Sequence, residues 1–173
     1  MKTLVVYTSQ TGFTKRYAEW LADAVGADCL ELSVAKKREL SEYDAIIFGG
    51  WVCAGSISKI AWFKENIERW PGKKLAVFCV GGSPIYSPDI APFLERSFTP
   101  AERSRLKAFY CPGGFNYEKM PAPSKLMMKM FSAALKAQKD KTEAEEAMAK
   151  MISHSYDLSD KKYIEPILEY LNE

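Results

Sequence analysis

The chain is poor in the residues from which catalytic and metal centres are usually assembled. A single histidine, His154, stands among 173 residues, and without a second ligand or a catalytic partner in the sequence neither a metal site nor a triad is signalled. No Ser-His-Asp or paired-carboxylate arrangement can be read off either, and no residue is assigned a catalytic role. The cysteines number four, Cys29, Cys53, Cys79 and Cys111, and form no CxxC pair. That excludes a redox dithiol and leaves reduced thiols in a cytoplasmic protein as the expectation. No apolar run approaches the roughly 18–20 residues of a membrane span. The opening MKTLVVYTSQT is too short in its apolar part for a signal peptide and lacks the small-residue cleavage site. Charge of one sign is missing too, since a net charge of +2 argues against nucleic acid as a partner. Without repeats or low-complexity linkers, residues 1–173 read as one domain. Any chemistry then belongs to a cofactor, positioned by the protein.

What is present is an alternation. Thr3–Tyr7, Asp44–Phe48 and Leu75–Val80 are apolar runs, as expected of strands buried on both faces, and Leu106–Cys111 (LKAFYC) reads as a fifth strand. Cys29–Val34 alternates weakly and reads as a further short strand. Thr14–Val25 carries apolar residues at helical spacing, and so does Ser58–Trp70, with Ile60, Trp62, Phe63 and Ile67 inward. Strands alternating with helices imply βαβ units, a parallel sheet and a doubly wound α/β fold.

In such folds ligands bind beyond the carboxyl ends of the strands, where the strand order reverses. Thr8–Thr14, Gly49–Ser58, Gly81–Asp89 and Pro112–Met120 are therefore expected to share one edge. The first of these, TSQTGFT, opens a helix, whose free N–H groups and dipole favour an anion. Ser9, Thr11 and Thr14 can each donate a hydroxyl to it, and Gly12 permits a tight loop. The loop is neither GxxxxGK[ST] nor GxGxxG, which leaves a single terminal phosphate monoester as the ligand it suits. The plainer alternative is that Ser9 or Thr11 only caps the helix.

TSQTGFT after an N-terminal buried strand resembles the phosphate loop of the flavodoxin superfamily, [ST]-x-T-G-x-T. That resemblance implies a five-stranded sheet in the order 2-1-3-4-5 and non-covalent flavin mononucleotide (FMN), favoured over FAD because the loop suits a terminal phosphate. It implies FMN-binding positions at Ser9, Gln10, Thr11, Gly12, Phe13 and Thr14. Further positions fall in the third-strand loop, Gly50, Trp51, Val52, Cys53, Ala54 and Gly55, and in the fourth-strand loop, Gly81, Gly82, Ser83 and Tyr86. Trp51 and Tyr86 are the aromatic candidates for the flavin ring, and the N–H groups of Gly82 and Ser83 for its pyrimidine oxygens. Cys53 reads more simply as a small buried residue. Neither glycine-bearing loop carries a carboxylate before Asp89.

A narrower likeness joins GGWVCAGSISK and GGFNYEKMPAPSKLMMKMF to the flavodoxin-like menaquinone-dependent protoporphyrinogen oxidases, although Ala54 stands where those proteins have an aromatic residue. Two functions follow. One is an electron carrier between redox protein or small-molecule partners; the other is a quinone-linked oxidoreductase. A non-redox phosphate-binding or interaction module is the third reading. Residues 120–139 form a helical extension after the fifth strand, with Lys125, Lys129, Ser132, Lys136 and Lys139 on one stripe. Its apolar stripe is expected to pack on the domain, the alternative being contact with a membrane-borne quinone or a protein. Thr142–Ile152 and Tyr163–Leu171 read as helices, with Pro166 in the first turn of the latter.

Overall fold

The computed structural model describes residues 1–173. Strand β1 (Thr3–Tyr7) leads to helix α1 (Phe13–Val25), and β2 (Asp28–Glu31) to a single helical turn, α2 (Leu32–Ala35). The long β3 (Ala45–Cys53) doubles back as β4 (Ser56–Ile57) before α3 (Ile60–Asn66), which tightens into a 3-10 turn at Ile67–Arg69. Then come β5 (Lys74–Gly81), α4 (Ile90–Ser97), α5 (Pro100–Arg105) and β6 (Leu106–Pro112). Past the sheet lie the two-residue β7 (Gly114–Phe115), α6 (Ala122–Ala137), α7 (Glu143–Met151) and β8 (Tyr156–Asp157). A 3-10 turn at Lys161–Ile164 and α8 (Glu165–Asn172), with Pro166 in its first turn, close the chain.

The main sheet runs β2-β1-β3-β5-β6, all parallel, which is the expected order once β4 is set aside as an antiparallel return of β3. Side chains alternate across it. Leu4, Val6, Ile46, Phe48, Leu75 and Val77 meet Phe63, Trp70 and Phe93 on one face. Val5, Ile47, Ala76, Phe78 and Val80 meet Tyr17, Leu21, Ile167 and Leu171 on the other. Burial on both faces is why these strands read as unbroken apolar runs.

Three readings need correction. The segment Cys29–Val34 is strand only to Glu31; Leu32 and Ala35 then turn inward as one helical turn and plug the first face. The strand at Asp44–Phe48 does not close at its glycines. β3 continues through Gly49 and Gly50 to Cys53 because β5 pairs with it as far as Trp51 and β4 pairs with its tip. Helix α6 does not pack the expected apolar stripe on the body. Ser124, Met128, Ser132 and Leu135 face the body, while Leu126, Met127, Met130 and Phe131 are exposed, Met130 by 65%. The cause lies at its ends. The Gln10 side-chain amide donates to Ser124 Oγ at 3.1 Å where the helix begins, and α7 packs on its far end.

Between β3 and β4, Ala54 and Gly55 form a two-residue turn with φ of 48° and 76°. Both central residues of such a turn need positive φ, which costs alanine about 1 kcal/mol and glycine almost nothing. Ala54→Gly should therefore stabilise the protein by about 0.5–1 kcal/mol, the flexibility of the unfolded chain offsetting part of the relief. Urea unfolding would show a higher midpoint at unchanged m-value.

Candidate functional site

The chain leaves β1 with the Thr8 N–H still bonded to the Gly49 carbonyl at 2.9 Å. It turns into α1 at Gly12, whose φ of 103° is open to glycine and strained for other residues. The Gly12 N–H donates to Ser9 Oγ at 3.2 Å. On either side, the N–H groups of Ser9, Gln10, Thr11, Phe13 and Thr14 find no acceptor within the protein. Thr14 is 1% exposed and lines a small cavity of about 80 Å³ with Ser9, Gln10, Thr11 and Trp51. A capping hydroxyl alone would satisfy one donor. Here Ser9 satisfies one and five stay open beside the positive end of α1, which is the donor pattern of an anion cradle.

Val52, Gly81, Gly82 and Phe115 border this cavity and also a second, of about 320 Å³, whose wall continues through Ile90, Phe93, Tyr110 and Phe131. Its charged lining residues are Asp89 and Arg96, one of each sign. A polar, donor-rich end thus opens along the Gly81–Gly82 edge into a wider apolar cleft. The first offers hydrogen-bond donors and the second apolar walls.

The polar backbone at this edge is divided between protein and ligand. Tyr110 Oη accepts the Ser83 N–H at 3.0 Å and donates to the Ser83 carbonyl at 2.8 Å. Tyr156 Oη donates to the Gly82 carbonyl at 2.7 Å. Burial pushes both phenols well above their ordinary pKa, so they stay protonated donors. The β7–β8 ribbon that carries Tyr156 is tied to α1 by Arg16, which donates to Asp157 Oδ2 at 2.5 Å and to Ser159 Oγ at 2.6 Å. Burial works against the Asp157 carboxylate, but the hydrogen bonds from Ser159 and Arg16 outweigh it and hold its pKa below the usual value. Tyr17 adds a second tie, donating to the Pro112 carbonyl at 2.6 Å and accepting the Asp160 N–H at 3.2 Å.

Most of the residues singled out from sequence gather here. Ser9, Gln10, Thr11, Phe13, Thr14, Trp51, Val52, Gly81 and Gly82 line the small cavity, and Gly55 and Ser83 line the cleft. Gly12 makes the turn between them, and Gly50 is buried inside β3. Others stand apart. Cys53 and Ala54 are exposed at the β3–β4 tip, so Cys53 is not the buried residue expected, because β3 carries it past the core. Tyr86 is 85% exposed and borders neither cavity, since the chain after Ser83 runs outward towards α4. The Ser83 N–H, expected to be open, is held by Tyr110. Sequence reasoning missed Phe115, Tyr110, Tyr156 and Phe131. Phe115 follows Gly113 and Gly114, the same glycine-pair signal that marked the other loops; Tyr156, in a two-residue strand, leaves no pattern to find.

Residues 4–142 match the family described as the flavodoxin domain. The flavodoxin-like domain-containing protein BilS of Clostridioides difficile (strain CD3) is 30% identical over 139 residues, which cover 75% of this chain and 76% of that protein. Among solved structures, a WrbA-like flavodoxin from Agrobacterium tumefaciens is similar with a TM-score of 0.50 at 20% identity, covering 88% of this chain and 95% of that one. Flavodoxin 2 from Bacillus cereus gives 0.46 at 18% identity, over 88% and 98% of the two chains.

Two outcomes are expected of this geometry. Tyr110→Phe leaves both polar groups of Ser83 without their partner and should destabilise the fold by about 1–2 kcal/mol in urea unfolding. Asp157 has a lowered pKa in the folded protein, so its contribution is complete above the unfolded carboxylate value of about 3.9 and fades as pH falls through the folded one. In thermal melts the advantage of the native protein over Asp157→Asn should hold at pH 7 and shrink below about pH 4.

Proposed function

The chain belongs to the flavodoxin domain family, and we propose that it binds FMN at the carboxyl edge of the sheet and passes electrons between redox partners. The observation that carries this reading is the run of open N–H donors at Ser9–Thr14 around the small cavity that Thr14 lines. A bound flavin supplies the electron-transfer chemistry, and the protein supplies position and electrostatics. Thr11 and Thr14 donate their hydroxyls to the phosphate, with the N–H groups of Gln10, Thr11, Phe13 and Thr14 completing the cradle. Trp51 and Val52 border the path from phosphate to ring. Phe115, Phe93 and Tyr110 give the apolar cleft its walls, and the open Gly82 N–H is the donor left for a ring oxygen once Tyr110 has taken that of Ser83. Asp89 and Arg96 leave the cleft without the excess of negative charge that would oppose reduction.

A second reading, a quinone-linked oxidoreductase resembling the menaquinone-dependent protoporphyrinogen oxidases, has one observation in its favour. Phe131 belongs both to the cleft wall and to the exposed apolar side of α6 with Leu126, Met127 and Met130. An apolar acceptor, or a partner or membrane surface bringing one, would meet the cleft along that side. No helix is long and apolar enough to cross a membrane, so such contact would be peripheral.

The test is flavin uptake by the purified protein, followed by absorbance and fluorescence quenching. FMN should bind near stoichiometry and riboflavin, which lacks the phosphate, at least tenfold more weakly. Thr14→Val, which keeps the side-chain shape, should weaken FMN by about tenfold or more and leave riboflavin nearly unchanged. A preparation that is colourless and takes up neither flavin would overturn the redox reading in favour of a phosphate-binding module. Turnover of a porphyrinogen with a quinone acceptor would favour the second reading over simple electron carriage.

A further inference from the structure

Helix α6 buries Ser132 and half-buries Lys125, leaves Leu126, Met127, Met130 and Phe131 in water, and exposes Lys129 and Lys136 along the edge between the two stripes. Between that stripe and the turn Ser153–Ser155 lies a cavity of about 530 Å³, apart from the flavin cleft. Lys125, Lys129 and Lys136 line it, and none of them takes part in any ion pair or side-chain hydrogen bond of the molecule. The carboxylate on the wall is that of Glu118, already engaged by the Ser155 hydroxyl at 2.8 Å. Three ammonium groups therefore face one occupied carboxylate. Ser132, 7% exposed, sits among the lysines with a hydroxyl that bonds to no protein group, and His154 lies across from it.

Lysines four apart on a helix repel each other, and an unconstrained lysine stripe is solvated on the outer face. Here the Gln10–Ser124 hydrogen bond and the packing of α6 on α7 set Ser132 and Lys125 against the body, so that the three lysines border one cavity. Lys129 and Lys136 stay exposed at the mouth of the cavity, where a multiply charged anion would relieve the mutual repulsion of the three ammonium groups.

We propose that this cavity is a second binding site, for a small molecule carrying two or more carboxylate or phosphate groups. Along the helix axis Lys125 and Lys129 are about 6 Å apart, and Lys129 and Lys136 about 10 Å. An elongated anion with separated charges suits that spacing better than a single phosphate. The volume of this open cavity lies within the usual range of small-molecule sites. Lysines supply point charges rather than planar forks, so the site reads charge and spacing more than headgroup shape. This proposal does not rest on flavin binding.

His154, the only histidine, gives one imidazole signal and so a direct reporter of the cavity. We would titrate the full chain with citrate, suberate and pyrophosphate at constant ionic strength, with acetate as the singly charged control, following that signal by NMR. Saturable shifts with at least one di- or trianion and none with acetate are expected. A stronger response to suberate and citrate would assign the site to carboxylates, and a stronger response to pyrophosphate would assign it to phosphates. Lys129→Gln/Lys136→Gln should weaken binding by about tenfold or more, Lys129→Arg should retain it, and Thr14→Val should leave it unchanged. Shifts that never saturate in the wild-type protein, or equal binding by the folded double variant, would overturn the proposal. The wild-type titration decides the matter even if the double variant does not fold, and flavin uptake measured alongside separates this outcome from failure of the cofactor reading.

Discussion

Everything at the candidate site follows from β1 lying between β2 and β3. The chain leaves β1 to one side to make β2 and returns to the other side to make β3, so the connections diverge and a crevice opens beyond Tyr7 and Gly49. Parallel pairing points every strand's carboxyl end at this one edge. The backbone there has run out of ladder partners, and an unpaired buried N–H costs about 1–3 kcal/mol. The loops at this edge must satisfy those groups internally or present them to a ligand.

The protein does both, on different sides of the crevice. On the β5 side, Tyr110 and Tyr156 reach the backbone of Ser83 and Gly82, and Arg16 and Tyr17 hold the β7–β8 ribbon against α1 so that Tyr156 can do so. On the β1 side, Gly12 swings the chain into α1 and leaves the donors from Ser9 to Thr14 open. The first arrangement is structural, since its donors and acceptors are matched. The second is incomplete without an anion or water, and that difference separates scaffold from site.

Helix α6 raises a related imbalance in charge rather than hydrogen bonding. Leu126, Met127, Met130 and Phe131 forfeit burial, at about 25 cal/mol for each Å² of apolar surface left in water, while Ser132 is buried and Lys125 half-buried. Local amphipathicity is thus overruled by the tether at Gln10–Ser124 and by packing on α7. The same orientation puts Phe131 on the wall of the apolar cleft and the lysines on a cavity of their own.

The sequence by itself determined the elements and the location of the site. Apolar runs marked β1, β3 and β5 because the sheet is buried on both faces there, and TSQTGFT marked the candidate cradle because hydroxyls and a glycine at a strand-to-helix turn are a local pattern. Both depend on residues adjacent in the chain. The tertiary structure decided whatever depends on partners distant in sequence. It extended β3 through its glycines to Cys53, because β5 pairs alongside it. It closed the Ser83 N–H with Tyr110, left Tyr86 in solvent and brought Phe115, Phe131 and Tyr156 to the edge instead. Periodicity marked the two stripes of α6 but not which of them faces inward. A helix is equally regular in either orientation, and only its neighbours distinguish the two.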